Sequence, residues 1–281
     1  MTRQRRIPLN SKTIINFVRT GATVAILAFC IAGTTTPVAA RDLPARNPDT
    51  VSGARIVAVT DGDTITIDTG AQVRLTGIQA PKLPLGRAGF RAWPLAGRAK
   101  QELERLGGGR TARLVYRGHK IDRWGRLLAD VYVGDTWLQG EMVRRGMARV
   151  YTFPDNRAGA AELYEAERQA RAAKTGIWAL DWYRVLSPAE LEGKTGTFQV
   201  VEGTAVATAV VGGRGFINFS ADWRTDFTIS IPRSKMKLFR AAGVNMEHYD
   251  GRRLRVRGWL VKRNGPMIAV THPEQIEVVT E

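Results

Sequence analysis

ARIVAVTDGDTITIDTGAQVRLTGI, residues 54–78, is a stretch in which three short apolar runs are separated by turns. β-Branched residues recur along the runs, and the pairs Asp61-Gly62 and Thr69-Gly70 stand between them. Asp-Gly is a common hairpin turn, and an apolar period of two is typical of a half-buried strand. The stretch therefore predicts three consecutive strands, at 54–59, 63–68 and 71–78.

The elements after these strands complete the pattern of a barrel. A loop rich in Pro and Gly at 79–94 precedes a predicted helix at 95–106, which ends at three successive glycines. Two strands and two helices follow, at 111–118, 126–135, 136–146 and 158–174. This order predicts a mainly β fold with α additions, a five-stranded OB-type barrel that carries three helices.

A second β-rich block begins at Gly196. It shows about five strands, with a helix near residues 234–242 between the third and the fourth, which favours a second OB-like β-barrel. We therefore predict four segments after the leader described next: a linker at 41–53, a first barrel at 54–182, a linker at 183–195 and a second barrel at 196–281.

The first 40 residues have the composition of a secretory signal peptide. Five basic and no acidic residues precede or border the apolar stretch 22–32, and the small residues TTTPVAA follow at 34–40. This order predicts cleavage after Ala40 and export to the periplasm or the extracellular space, with an uncleaved membrane anchor as the alternative. The sole cysteine, Cys30, lies in this leader, so the exported chain would have no thiol, disulfide or thiolate metal site.

The chain is strongly basic. Its 281 residues include 42 Lys plus Arg and 26 Asp plus Glu, a formal charge of +16. Removal of the five basic residues of the leader leaves +11, so the bias belongs to the rest of the chain. Such a charge favours a polyanionic partner, with nucleic acid first and an anionic polymer or a membrane surface as alternatives. No small-molecule cofactor is predicted.

Carboxylates and arginines stand near strand ends in the first barrel. Asp61 and Asp63 flank the first hairpin turn, and oxygen ligands of this kind suit a hard cation such as Ca²⁺. Arg74 lies in the next hairpin, and Arg126 begins a later strand. A guanidinium group binds two phosphate oxygens at once, so two arginines at one end of a barrel predict a phosphate clamp.

Five segments between residues 55 and 178 carry a family resemblance: VTDGDTITI, QVRLTGIQAP, KIDRWGRLLADVYV, NRAGAAELYEAERQAR and GIW. Along this whole length the chain resembles the staphylococcal nuclease, or thermonuclease, family. The resemblance implies an OB barrel with three helices and calcium-assisted hydrolysis of DNA or RNA phosphodiesters. It also implies that Asp63 is the main calcium ligand with Asp61 in the outer shell, and that Arg74 and Arg126 are catalytic residues that hold the scissile phosphate.

The chain departs from the family pattern in the motif Asp-Thr-Pro-Glu, which supplies a second calcium carboxylate, a backbone ligand and the proposed general base. The corresponding residues are Gln79, Ala80, Pro81 and Lys82. An ammonium at Lys82 cannot accept a proton from water as a carboxylate does, and it opposes a bound cation. If Lys82 pairs with Asp63, calcium is displaced. We therefore expect calcium binding and hydrolysis to be weak, altered in metal need or lost.

The same departures favour phosphate binding. Between Thr69 and Gln101 there is no Asp or Glu, and several Lys and Arg residues are present. Aromatic side chains next to such cations stack on bases. The residues predicted to contact phosphate or nucleic acid are Lys82, Arg87, Trp124 and Tyr151. The three histidines, His119, His248 and His272, have no ligand spacing, so no role is predicted for them.

Two segments of the second block, 215–232 and 252–279, resemble the additional OB-like domain of some bacterial thermonuclease-type proteins. Basic and apolar residues alternate along the second segment, which predicts either a strip that binds a polyanion or a solvated strand face. The residues of this strip are Arg252, Arg253, Arg255, Arg257, Trp259 and Lys262.

Three functional hypotheses follow from the sequence. The first is an exported thermonuclease-like protein that binds DNA or RNA, with hydrolysis weakened or lost. The second is a working nuclease with rearranged metal ligands. The third is a non-catalytic adaptor of the cell envelope that binds protein or an anionic polymer through its two barrels.

Overall fold

The structure is a computed structural model and describes residues 49–222 and 224–279. The predicted leader with Cys30 and the aromatic residue Trp223 lie outside the described residues. The described residues all belong to one compact unit. Within them, no helix combines the length and the apolar character needed to cross a membrane.

The first barrel contains the predicted strands and helices, together with three short strands that the sequence did not indicate. Its strands are β1 (Asp49–Asp61), β2 (Thr64–Ile67), β3 (Gln72–Leu75), β4 (Ile78–Gln79), β5 (Thr111–Tyr116), β6 (Leu127–Val133), β7 (Thr136–Trp137) and β8 (Arg149–Val150). Its helices are α1 (Ala96–Gly107), α2 (Leu138–Arg144) and α3 (Ala160–Ala172).

The strand order of this barrel is β3-β2-β1-β5-β6, and a parallel pairing between β3 and β6 closes the ring. All other pairs in the ring are antiparallel. A single parallel pair that closes five strands in this order is the arrangement of an OB barrel, so the predicted fold class is confirmed.

Helix α1 covers one side of the barrel next to the turn between β1 and β2. Its buried residues Ala99, Leu103 and Leu106 follow the helical period and join the barrel core. At Gly62 a Cβ atom would come within 2.6 Å of the Ala80 Cβ and 2.7 Å of the Ala99 Cβ. The turn therefore needs glycine because the chain, the following loop and the helix approach closely there.

Around the ring, the strands of the second barrel follow one another in the same order as those of the first barrel, when each set is counted along the chain. Its pairing path is β10-β11-β12-β14-β13, with β12 and β14 parallel and with β9 beside β13. Because β9 and β10 are successive segments of one stretch, the chain itself completes the ring. The elements are β9 (Phe198–Thr204), β10 (Ala207–Val211), β11 (Arg214–Asn218), β12 (Thr228–Ile231), α4 (Met236–Ala241), β13 (Arg253–Arg263), β14 (Gly265–Ala269) and β15 (Ile276–Val278).

The two predicted linkers differ from the structure. Strand β1 begins at Asp49, inside the predicted linker 41–53, because its first residues pair with β5. In the predicted linker 183–195, Leu186 and Leu191 are buried in the core of the second barrel. Both stretches are short of apolar residues, yet the backbone of the first and two leucines of the second contribute to the folded unit.

Buried charges join the two barrels. Arg257 on β13 is 1% exposed and contacts both carboxylate oxygens of Glu167 on α3, at 3.0 and 2.9 Å. The same guanidinium contacts Glu277 on β15 at 2.6 Å and donates to the carbonyl oxygen of Val150 at 3.2 Å. Burial disfavours this charge, but Glu167 and its other neighbours outweigh the burial and raise the pKa of Arg257 above its usual value.

The predicted basic strip on β13 is therefore wrong. Arg257 is sealed between the barrels, Arg255 pairs with Glu202 and Glu277, and Arg253 pairs with Glu202. The alternation in the sequence predicts the strand correctly, but the partner carboxylates come from β9, β15 and α3, which are separate elements that the alternation does not indicate.

Candidate functional site

A cleft of about 940 Å³ opens on the first barrel beside the parallel β3–β6 pair and reaches the second barrel at Trp259. Most residues predicted from the sequence to bind calcium, phosphate or nucleic acid line this cleft. Asp63 and Ala80 lie behind its wall and are fully buried. The predicted residues that line the cleft are Asp61, Arg74, Gln79, Lys82, Arg87, Trp124, Arg126 and Tyr151.

The ammonium group of Lys82 lies on the acidic pair of the turn between β1 and β2. Its Nζ atom is 2.7 Å from both carboxylate oxygens of Asp63 and 3.3 Å from Oδ2 of Asp61. The Lys82 side chain is 21% exposed, whereas the Asp63 side chain is fully buried. The sequence predicts that this pairing displaces calcium, and in the structure the ammonium of Lys82 contacts both carboxylates.

Asp63 has further partners that hold it in its charged form. Its Oδ2 accepts a hydrogen bond of 2.8 Å from the Ala80 amide and is 3.3 Å from the Arg74 guanidinium. Burial alone would raise the pKa of the Asp63 carboxyl, but Arg74 and Lys82 outweigh it and hold the pKa well below its usual value. Burial and the neighbouring Asp63 instead raise the pKa of Asp61.

Arg74 donates hydrogen bonds to backbone carbonyl oxygens of the barrel. Its Nη1 donates to the carbonyl oxygens of Asp63, at 3.3 Å, and of Leu75, and its Nη2 donates to that of Ile78 at 2.5 Å. The guanidinium therefore joins three successive parts of the chain around the cleft floor. The sequence predicts that Arg74 and Arg126 hold the phosphate, and in the structure both line the cleft, with Arg74 also bonded to the chain beneath it.

Gln79, at the position of the family's second carboxylate, is already engaged. Its Oε1 accepts hydrogen bonds from Nε and Nη2 of Arg149, at 3.0 and 2.7 Å. Both residues are buried, and the strand pairing of β4 with β8 places them opposite each other. Burial lowers the pKa of Arg149 to about 10, and its guanidinium also lies 4.3 Å from the ring centre of Phe198.

Arg126 and Trp124 form a group at the rim of the cleft. Asp122 pairs with Nε and Nη2 of Arg126, at 2.8 and 2.7 Å, which leaves Nη1 without a protein partner in the described residues. The Trp124 side chain is 66% exposed. The guanidinium groups of Arg123 and Arg126 lie 4.0 and 5.2 Å from its ring. An exposed indole with two arginines against it offers a surface for stacking and for phosphate binding.

Arg87 lies on the loop between β4 and α1, which also borders the cleft. Its guanidinium carbon is 3.8 Å from the ring centre of Phe90, and Nε and Nη2 donate to the carbonyl oxygens of Pro84 and Leu83. Neither Arg87 nor Arg123 forms an ion pair with any described residue, and both are exposed. They are therefore the cations of the cleft whose charge is least compensated by the protein.

The donor set around Asp63 does not suit calcium. Ca²⁺ takes six to eight oxygen ligands. The Asp63 oxygens are bound by Lys82, Arg74 and the Ala80 amide, and the Gln79 oxygen is bound by Arg149. No group of three or more His, Cys, Asp or Glu side chains placed to hold a metal ion occurs among the described residues. At about 4 Å from the ammonium a divalent cation would meet a gross repulsion of roughly 8 kcal/mol at an effective dielectric of about 20.

Several residues of this region were not found from the sequence. Asp122 and Arg123 directly precede the predicted Trp124, and Phe153 and Trp259 extend the cleft wall. A lone arginine inside the apolar run MARVY is the one sequence signal for Arg149, because a charge in such a run often points to a buried partner. His272 had no signal: its Nε2 lies 2.7 Å from Thr152 Oγ1 of the first barrel, and burial lowers its pKa to about 4.

The fold and the cleft define an OB-barrel protein with a cation-lined site, and comparisons with known proteins show what its first barrel is similar to. Residues 72–180 match the family model described as "Staphylococcal nuclease homologue". A thermonuclease of Staphylococcus hyicus is 27% identical over 128 residues, which cover 44% of this chain and 75% of that protein. This segment of the chain therefore matches the staphylococcal nuclease homologue family, as the sequence resemblance indicated.

Two further relatives show how far the similarity extends. A protein of Oryza sativa subsp. japonica described as "Probable staphylococcal-like nuclease" is 27% identical over 128 residues, 46% of this chain and 31% of its own length. An uncharacterized protein of Bacillus anthracis is 32% identical over 142 residues, 47% of this chain and 63% of its own length. The chain thus covers less than two thirds of either relative.

Proposed function

We propose that this protein binds the sugar-phosphate backbone of DNA or RNA in the cleft of its first barrel, and that calcium-assisted hydrolysis is weak or lost. The observation that carries the proposal is the position of Lys82, whose ammonium group contacts both Asp61 and Asp63. The ammonium neutralises the acidic pair that would otherwise repel a phosphodiester. It also replaces the carboxylate that would serve as general base.

The cations at the rim supply the phosphate contacts. Arg126 keeps one guanidinium nitrogen without a protein partner in the described part of the chain, and Arg87 and Arg123 are exposed without an ion pair. Each of these three side chains lies against an aromatic ring, which orders the guanidinium before a ligand arrives. A preordered donor loses less entropy on binding than a free lysine does.

The magnitudes favour binding without calcium. An extracellular-type calcium site with a Kd of about 10⁻⁴ to 10⁻³ M corresponds to roughly 4–5.5 kcal/mol. The gross repulsion from Lys82, at roughly 8 kcal/mol at an effective dielectric of about 20, acts directly against a calcium ion at this position. A phosphate near Arg126 meets no such opposition, since Asp122 is already paired with this arginine.

The export predicted from the leader belongs to the same proposal. An exported basic protein would meet free DNA or RNA outside the cytoplasm. The alternative of a cell-envelope adaptor shares the charge argument but gives no role to the aromatic rings beside the arginines.

The test is binding and cleavage of a fluorescent 12-nucleotide DNA and its RNA equivalent, with calcium, with magnesium and with chelator. We expect binding that is independent of calcium, that weakens between 50 and 200 mM salt, and that falls about tenfold in Arg126→Ala. Arg144→Ala is the matched control, because Arg144 is exposed on α2 and pairs with Glu141 outside the cleft.

Two outcomes would overturn the proposal. Calcium-dependent cutting that disappears in Arg126→Ala would show that a working nuclease site exists despite Lys82. Equal binding of a sulfated polysaccharide and of the oligonucleotides, with no effect of Arg126→Ala, would support the adaptor instead.

A further inference from the structure

Trp259 is the residue of the second barrel that reaches the cleft. It lies on β13, and its side chain is 47% exposed, whereas its neighbour Leu260 is fully buried in the core of the second barrel. A large indole on a strand face is usually covered by its own domain or by a partner. Here the indole lines the cleft of the first barrel.

The first barrel holds this indole in place. Its Nε1 donates a hydrogen bond of 3.2 Å to the hydroxyl oxygen of Tyr151, which follows β8. The Tyr151 ring packs edge-on against Phe198 of β9, with ring centres 5.0 Å apart, and against the exposed Phe153, with ring centres 4.8 Å apart. The indole nitrogen is thus satisfied by the protein, and the exposed part of the ring is apolar.

This aromatic group is continuous with the phosphate site. The Tyr151 amide donates to the carbonyl oxygen of Gly77 at 2.8 Å, and β8 pairs with β4, so that Val150 lies opposite Ile78. The carbonyl oxygen of Ile78 in turn accepts a hydrogen bond from Arg74. A path of direct contacts therefore leads from the floor of the cleft to Trp259.

We propose that Trp259 is a base-stacking residue, and that the second barrel extends the site and directs it toward single-stranded nucleic acid. The inference rests on the proposed function of the cleft. Unpaired bases stack on an exposed aromatic ring, whereas the bases of a duplex are already stacked on each other. The charge at the rim holds the backbone, and the rings of Trp259 and Phe153 receive bases beyond the bound phosphate.

The experiment compares the full-length protein with three variants, Trp259→Ala, Trp259→Leu and Trp259→Phe. The probes are a trinucleotide, a 12-nucleotide single strand and a 12-base-pair duplex of the same sequence. Leucine keeps an apolar side chain without an aromatic ring, and phenylalanine keeps a ring without the bond to Tyr151. Val261→Ala is the control, because Val261 is exposed two residues further along β13 and does not line the cleft.

For the 12-nucleotide strand we expect Trp259→Ala and Trp259→Leu to weaken binding by at least about fivefold, which corresponds to about 1 kcal/mol of lost stacking. Trp259→Phe should retain most of the affinity. Binding of the trinucleotide and of the duplex should change less than twofold in all variants. The oligonucleotide should also quench part of the tryptophan fluorescence of the wild type, and this part should be missing in Trp259→Phe.

The results separate this inference from the proposed function. If Trp259→Ala and Trp259→Leu bind the single strand as the wild type does while Arg126→Ala does not, the cleft binds nucleic acid without the second barrel and the inference is wrong. An equal loss of affinity for single strand and duplex would also overturn it. If the wild type binds none of the three probes, the proposed function itself fails.

Discussion

Two clusters of paired cations and carboxylates lie in this protein, one at the cleft and one between the barrels. In the first, Lys82 and Arg74 face Asp61 and Asp63, and the lysine is 21% exposed. In the second, Arg257 faces Glu167 and Glu277, and the arginine is 1% exposed. The chemistry of the two clusters is similar, and their access to water differs.

This difference separates a binding role from a structural one. A charge that is sealed from water interacts strongly with its partner, and loss of the partner leaves an uncompensated charge that solvent cannot reach. A cation at the exposed rim of the cleft can contact a ligand without leaving a buried partner uncompensated. We therefore expect substitutions between the barrels to change stability, and substitutions in the cleft to change binding.

Arg257→Met should give the largest effect on stability. It leaves Glu167 buried without its main cationic partner, which costs about 3–5 kcal/mol in comparable cases. Urea unfolding monitored by circular dichroism measures the loss. Arg253→Met is the matched control on the same strand, because Arg253 is 55% exposed and its pair with Glu202 contributes less than about 1 kcal/mol. Equal losses in the two variants would refute the distinction between sealed and open charges.

His272 should make the contact between the barrels sensitive to acid. Its pKa in the folded protein is about 4, below the ordinary 6.5, so the unfolded chain binds a proton in this range that the folded chain does not. Stability is therefore complete above about pH 6.5 and falls as the pH drops toward 4, by up to about 3 kcal/mol.

The measurement is the free energy of unfolding of the wild type and of His272→Gln at pH 7, 6, 5 and 4. Glutamine is neutral throughout and can still contact Thr152, so the difference between the two proteins should change over this range. If the two curves stay parallel, His272 does not carry the acid sensitivity.

The double variant Gln79→Asp with Lys82→Glu should make the cleft bind calcium. It removes the ammonium and adds two carboxylates beside Asp63. With 10 mM calcium and a Kd of about 1 mM the stabilisation would be about 1.4 kcal/mol, a rise in Tm of roughly 3–6 °C. Thermal unfolding with calcium and with chelator measures it, and the wild type should show no shift. A calcium shift of the same size in the wild type would contradict the role assigned to Lys82.

Arg123→Ala should give the smallest effect, and on binding only. Arg123 is exposed and forms no ion pair in the described residues, so its loss should leave urea unfolding unchanged. Affinity for the 12-nucleotide strand should fall a few-fold, and the dependence of log Kd on log salt should decrease by about one unit. A stability loss comparable to that of Arg257→Met would place Arg123 with the structural charges.

Much of the first barrel was evident from local patterns. The strands, the helices and the cleft residues from Asp61 to Tyr151 follow from alternation, turn residues and the family motifs. The sequence also showed that Lys82 stands where the family has a carboxylate. Its pairing with Asp63 could be predicted, because opposite charges pair once the fold brings them close. The short strands β4, β7 and β8 were missed, since two-residue strands carry no periodic signal.

The sequence by itself determined the two barrels, the family segment and the loss of carboxylates in the calcium motif, because each is written in neighbouring residues. Only the tertiary structure decided what each arginine does. Arg149 binds Gln79, Arg257 is sealed against Glu167, and Trp259 reaches the cleft of the other barrel. Arg149 and Gln79 are 70 residues apart in the chain, and Arg257 and Glu167 are 90 residues apart. No local pattern in the sequence encodes which distant side chain will become the partner of a given arginine.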